Sequence, residues 1–257
     1  MSDAILETTG LTKEFRGFVA VSDVNLSVRR GTIHGLIGPN GAGKTTCFNL
    51  LTKFLPPTRG TIRYDGHDIT GMKPAQVARL GLVRSFQISA VFPHLSVLEN
   101  VRVALQRERG GSFDFWRSEN LLRRYEDRAR ELLEDVGLAA YVNLQASELP
   151  YGRKRALEIA TTLALDPKML LLDEPTSGMA HEEVDRVVAL VKRVAQGRTV
   201  LLVEHNLKVV QGLCDTITVL ARGSVLAEGD YASVSSNPDV IAAYIGTDAP
   251  ATEAAHG

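Results

Sequence analysis

Gly38-Pro39-Asn40-Gly41-Ala42-Gly43-Lys44-Thr45-Thr46 stands between a short apolar run, Ile33–Ile37, and a stretch carrying Phe48, Leu51 and Leu55. The order is strand, glycine-rich loop, helix, and the spacing is G-x-x-x-x-G-K-[ST], the context that this pattern requires. Glycines let successive backbone N–H groups turn inward on phosphate oxygens with no Cβ in the way. The N-terminus of the following helix adds a partial positive charge. Asn40, Gly41, Gly43, Lys44, Thr45 and Thr46 therefore form the expected phosphate cradle. Lys44 is expected to reach the β- and γ-phosphates of a nucleotide, and the Thr45 hydroxyl to hold Mg2+.

Two more apolar runs end in chemistry. Met169–Leu172 delivers Asp173-Glu174, an acid suited to a magnesium contact followed by one able to polarise an attacking water. Thr199–Val203 is followed by Glu204 and His205, and His205 at such an edge can hydrogen-bond a γ-phosphate and the attacking water. Two acids at a strand end are often merely solvated, and a lone histidine is usually structural; the phosphate loop in the same chain tips both toward function. Gln87 ends a third strand candidate, Gly81–Phe86. Its amide can accept from a magnesium-bound water and donate to a phosphate oxygen, although alone it is a weak signal and a polar loop residue is the default reading.

The first third of the chain reads as strands and turns: Phe18–Val28 roughly alternates, and Gly60–Tyr64 runs into Asp65-Gly66, a hairpin signal. From Ser96 to about Leu165 the pattern turns helical. Tyr125, Ala129, Leu132, Leu133 and Val136 recur three or four apart and Gly137 stands at the C-cap, with a second helix expected from near Arg153. Beyond it, Met169–Leu172 and Thr199–Val203 suit parallel strands buried on both faces, separated by a helix with Val184, Val187, Val188, Val191 and Val194 on one face. Thr216–Leu226 reads as a hairpin around Arg222-Gly223-Ser224. The pattern predicts an α/β core with a helical insert and its ligand at the carboxyl edge of the sheet.

Composition narrows the classes. Of 257 residues 44% are hydrophobic and 23% charged, too apolar for a disordered chain. No run approaches the roughly 20 apolar residues of a membrane span, and Met1–Glu7 shows no secretory signal, so a cytosolic chain is expected. Lysine and arginine total 29 against 30 acids, which argues against a nucleic-acid partner. Cys47 and Cys214 suit neither a disulfide framework nor a zinc site and are expected to be reduced and buried.

Together these residues resemble the ATP-binding subunits of ABC transporters, in the family's order and from about Leu11 to Gly246. The resemblance implies an α/β, P-loop NTPase (RecA-like) core with an N-terminal antiparallel β subdomain and an inserted α-helical subdomain. It implies one ATP-binding domain over 1–246, with 1–87 and 166–246 as α/β core and 88–165 as helical subdomain, and a flexible tail at 247–257. It implies ATP and Mg2+ as ligands and a second ATP-binding subunit, identical or paralogous, bound head to tail. Each ATP would then lie between one phosphate loop and the other subunit's signature segment, here Leu149–Arg153 with Tyr151 and Gly152. Adenine would stack on Phe15, or failing that Phe18, with Val21 as apolar backing; Lys44, Gln87, Glu174 and His205 would serve catalysis, and Thr45, Gln87 and Asp173 the metal.

Within the superfamily, Leu11–Phe15, Phe18–Val21, Gly81–Gln87, Phe92–Asn100 and Asn237–Gly246 are most similar to importer subunits for branched-chain amino acids, urea and amides. That implies two membrane permeases, a periplasmic binding protein acting through them, and a peripheral position on the cytoplasmic face of the inner membrane. An exporter ATPase of the lipid or lipopolysaccharide type, and a soluble ATPase outside transport, are the alternatives. Three positions depart from the superfamily pattern. Pro150 replaces the signature serine, Ala180 stands where an aspartate is common, and Thr161-Thr162 replaces an arginine-alanine pair. Gly110–Trp116 puts three aromatics beside a glycine pair, either packed on the helical insert or exposed toward a partner.

Overall fold

The computed structural model describes residues 3–85, 91–106 and 119–245. Gln87, the aromatic segment 110–116 and the tail from 247 lie outside the described residues. In chain order come β1 (Ala4–Phe15), β2 (Phe18–Val24), β3 (Ser27–Arg29), β4 (Ile33–Ile37), α1 (Lys44–Leu51), β5 (Arg59–Tyr64), β6 (His67–Asp68), α2 (Pro74–Arg79) and β7 (Leu82–Ser85). Then come α3 (Val97–Gln106), α4 (Glu119–Asp135) and α5 (Tyr151–Leu163). The chain returns to alternation with β8 (Met169–Asp173), α6 (His181–Val194), β9 (Thr199–Val203), α7 (Leu207–Leu213), β10 (Thr216–Ala221), β11 (Ser224–Gly229), α8 (Tyr231–Ser235) and α9 (Pro238–Ile245).

The larger sheet has the order β11-β10-β4-β9-β8-β7, parallel except for the β10–β11 hairpin. Every residue of β4, β8 and β9 is buried, as continuous apolar runs require when helices or a second layer cover both faces. The pleat sorts them. Leu170, Leu172, Val200 and Leu202 belong to one core with residues of α3, α4, α5 and α6, whereas Met169, Leu171, Leu201 and Val203 pack with Phe48 of α1 and with Ile62 and Tyr64 of the smaller sheet. That smaller, antiparallel sheet has the order β2-β1-β5-β6, with β3 also pairing β1. Among the described residues no helix is long and apolar enough to cross a membrane.

Two expectations change in detail. Phe18–Val28 is broken: Asp23 takes a left-handed φ of 52°, and the Thr8 hydroxyl accepts the Leu26 N–H while donating to the Val24 carbonyl. β2 and β3 therefore pair with successive halves of the long β1 instead of forming one strand. The helix expected from near Arg153 starts at Tyr151, because Pro150, with φ −57°, occupies its N-cap. The Asp65-Gly66 turn forms as read, both residues with positive φ, and Gly137 closes α4 at φ 75°.

Candidate active site

The phosphate loop leaves the carboxyl end of β4, and its conformation is available only to glycine at two points. Gly38 has φ 150°, and a Cβ there would lie 2.1 Å from the Leu220 carbonyl oxygen; at Gly43, φ 96°, it would lie 2.5 Å from that of Ala20. Gly43 is also the N-cap of α1, with no side-chain cap, so the first-turn N–H groups of Lys44, Thr45 and Thr46 have no intrahelical acceptor. They converge on the concave side of the loop as an anion site. Lys44 is folded over the loop, its Nζ donating to the carbonyls of Gly38 at 2.7 Å and Pro39 at 2.9 Å. Burial lowers its pKa below the ordinary lysine range, and the carboxylates of Glu174 and Asp173 oppose that shift.

The strand order β4-β9-β8 brings the next two sets of residues beside this loop. Glu174, just past β8, has a left-handed φ of 44°, and His205, just past β9, places Nδ1 3.7 Å from Glu174 Oε1. Both side chains remain partly open, as groups that act on a ligand must be. Asp173 is different: it is buried, and its Oδ2 accepts from Arg84 Nη2 at 2.6 Å.

The other expected residues form two further groups. Phe15 and Phe18 are exposed and directly paired across the β1–β2 hairpin, and the Lys13 ammonium covers one face of Phe15 at 5.1 Å. Val21 is fully buried beneath Gly43, so it supports the loop from behind instead of offering a surface. Tyr151 and Gly152 occupy the first turn of α5, where the Arg153 and Lys154 N–H groups already bond Pro150 O and those of Tyr151 and Gly152 are left for an outside acceptor.

Residues 21–177 match the family model described as ABC transporter, and residues 224–250 match a second described as branched-chain amino acid ATP-binding cassette transporter. The chain belongs to the ABC transporter ATP-binding family. It is an ATPase cassette of that family and binds nucleotide as such. The chain is 42% identical to a high-affinity branched-chain amino acid transport ATP-binding protein, BraF, of Pseudomonas aeruginosa, over 96% of this chain and 99% of that one. A crystal structure of the ADP conformation of the cassette MJ1267 superposes with a TM-score of 0.82 at 30% identity, covering 95% of this chain and 100% of that one. A post-hydrolysis dimer of the cassette MJ0796 with ADP and Pi gives 0.75 at 25% identity, covering 88% and 98%.

The cassette also shows residues that the sequence pattern passed over. Arg84 of β7 bonds Asp173 and, through Nη1 at 2.6 Å, Asn49 of α1, with its guanidinium 5.1 Å from the Phe48 ring centre. An arginine inside an apolar strand was the available signal, since a buried cation demands partners. Glu204 is fully buried, and its two oxygens accept from Thr176 N and Oγ1 and from the N–H groups of His205 and Asn206. It ties the segment after β8 to the segment after β9, the two that carry Glu174 and His205.

Proposed function

We propose that this chain is one half of a paired ATPase that energises import of branched-chain amino acids or related small polar solutes. The observation that carries the solute class is the match of residues 224–250, beyond the residues 21–177 that the general family model covers, to the branched-chain amino acid cassette model. The near-complete alignment with BraF supports it. In this reading Asn40, Gly41, Gly43, Thr45 and Thr46 hold the ATP phosphates, Lys44 neutralises the β- and γ-phosphates, and adenine rests at Phe15 and Phe18. Glu174, as general base, takes the proton of the water that attacks the γ-phosphorus, and His205 steadies that water and the phosphate. Among the described residues no three His, Cys, Asp or Glu gather around one point. The hydroxyl of Thr45, the carboxylate of Asp173 and the amide of Gln87 offer hard oxygen donors, which suit Mg2+, an ion that enters with phosphates and keeps several waters. Thr45 would hold it, with Asp173 and Gln87 acting through water, and the bound ion would supply charge neutralisation at the phosphates.

Tyr151 and Gly152 would close on the ATP of a second cassette, identical or paralogous, consistent with the dimeric MJ0796 cassette. Two permeases would carry the solute, and the binding protein would act through them. A groove of about 530 Å³ between the core and the helical insert supports their docking, with exposed Phe54, Phe92 and Val103 on its lining. The cassette would then sit on the cytoplasmic face of the membrane without entering it. The test uses two variants. Glu174→Gln is expected to retain ATP and accumulate as a closed dimer while hydrolysis collapses, and Lys44→Ala to lose nucleotide affinity itself. Hydrolysis at the wild-type rate in Glu174→Gln sinks the assignment of the base, and co-purification with ribosomes or nucleic acid instead of two hydrophobic subunits sinks the transport role.

A further inference from the structure

One face of α5 runs along the segment that carries Glu174. Tyr151 Oη donates to the Ser177 carbonyl at 3.4 Å. Arg155, one turn further on the same face, places Nη2 3.1 Å from the carbonyl oxygen of Asp173 and 3.3 Å from that of Glu174. Its Nη1 donates to Glu158 Oε2 at 2.7 Å, and the two side chains are only 6% and 1% exposed. The guanidinium is thus fixed from behind by a buried carboxylate and aimed at the two peptide oxygens that flank the base.

The backbone of Glu174 needs such support. A φ of 44° in a non-glycine residue persists only where its surroundings over-determine it. The Glu174 N–H bonds Val203 O at 2.9 Å, and its carbonyl accepts from the Ser177 N–H at 3.1 Å. Those two bonds come from the neighbouring strand and from the loop itself. Arg155 is the contact that arrives from α5, whose first turn leaves the Tyr151 and Gly152 N–H groups open to an outside acceptor.

We propose that Arg155 is a positioning residue that holds the Glu174 backbone in its left-handed conformation and couples it to the first turn of α5. A phosphate carried by the second cassette and seated on Tyr151–Gly152 then sets the base of this chain's own site. The coupling rests on the paired reading given above. It supplies within one chain a link between the two ATP sites, and Ala180 offers no carboxylate for one.

The test compares the full wild-type chain with Arg155→Lys and with the double variant Arg155→Met/Glu158→Met. Replacing a buried ion pair by apolar side chains of similar volume is commonly neutral for stability, so the double variant separates packing from positioning. Thermal midpoint, affinity for trinitrophenyl-ATP, kcat and the Hill coefficient of ATP hydrolysis are read together. The double variant is expected to remain cooperatively folded, with a midpoint lowered only by the loss of the two carbonyl bonds, and to bind the nucleotide within about twofold, with kcat down at least about tenfold and the Hill coefficient reduced to one. Arg155→Lys, whose single nitrogen cannot serve Glu158 and both carbonyls with the reach of the guanidinium fork, is expected to be intermediate in kcat with unchanged affinity. Wild-type kcat and cooperativity in a folded double variant overturn the proposal. Should the double variant fail to fold, Arg155→Lys decides: a parallel loss of affinity and kcat there overturns it. A wild type that hydrolyses ATP without cooperativity or dependence on protein concentration overturns the paired reading itself, whereas a cooperative wild type with indifferent variants overturns only the role of Arg155.

Discussion

Replacing Glu204 by glutamine changes one atom in a fully buried side chain and tests whether four converging donors set the catalytic geometry. Oε1 accepts from Thr176 Oγ1 at 2.5 Å and Thr176 N at 3.1 Å; Oε2 accepts from His205 N at 3.1 Å and Asn206 N at 3.4 Å. A glutamine has one accepting oxygen and must turn its NH2 toward one of these pairs. Facing His205 and Asn206 it would oppose two backbone donors. Facing Thr176 it opposes only one, because the hydroxyl can rotate to accept, so the second orientation is expected. The loss is then one bond to a charged acceptor, with a buried N–H left unpaired, about 2 kcal/mol in all. In a chain of this size that lowers the thermal midpoint by about 4–8 °C. Because Glu204 joins the Glu174 and His205 segments without touching the phosphate loop, kcat is expected to fall about tenfold while KM for ATP holds. Urea unfolding and steady-state phosphate release read both quantities, and Thr176→Val should reproduce about half of the stability loss. Stability within about 0.5 kcal/mol of wild type, together with an intact kcat, would refute the reasoning.

Gly43→Ala places a Cβ 2.5 Å from Ala20 O at a φ of 96°, so equilibrium binding should show ATP affinity reduced at least about tenfold; unchanged affinity would mean that the loop shifts freely. His34 is buried, and that burial, aided by the nearby Arg29 charge, lowers its pKa to about 4. The folded value lies below the unfolded one, so the unfolded chain takes up the proton first on acidification. The contribution is present in full above about pH 6.5 and is lost as pH falls toward 4, up to about 3 kcal/mol. His34→Gln should flatten that part of a urea-unfolding series across pH, and an unaltered slope would show that other groups carry it.

The phosphate loop was legible because its chemistry is local: the glycines, the lysine and the threonine must follow one another to wrap one anion. Asp173, Glu174 and His205 were legible for a related reason, since a buried parallel strand is an apolar run and its last residues must emerge at the sheet edge. Arg84, Glu204 and Arg155 act across 89, 28 and 18 residues of chain, so no window of sequence holds both partners. Each could be flagged only as a charge in an apolar setting, without a partner named. The break between β2 and β3 was hidden similarly, because it depends on the Thr8 hydroxyl substituting for strand pairing at Val24 and Leu26.

The two departures at Pro150 and Ala180 acquire a common physical meaning from their positions. Pro150 is the N-cap of α5 and Ala180 the N-cap of α6, and neither helix has a side-chain cap bond. A serine at the first or an aspartate at the second would ordinarily satisfy a first-turn N–H, and its absence costs each helix about 1 kcal/mol. Glu182 and Glu183 in the first turn of α6 offset part of that through the helix dipole. At α5 no acid belongs to the first turn itself, and the Glu183 carboxylate of α6 approaches it at Gly152; the Tyr151 and Gly152 N–H groups have no intrahelical acceptor. Pro150 therefore removes a hydroxyl and a backbone N–H, two potential phosphate donors, and leaves the N–H groups of Tyr151 and Gly152. The turn also begins two residues earlier than the pattern suggested, which puts Gly152 inside the helix with the carboxylate of Glu183 3.1 Å from where its Cβ would be. A side chain at that position would have to displace this carboxylate by a few tenths of an ångström.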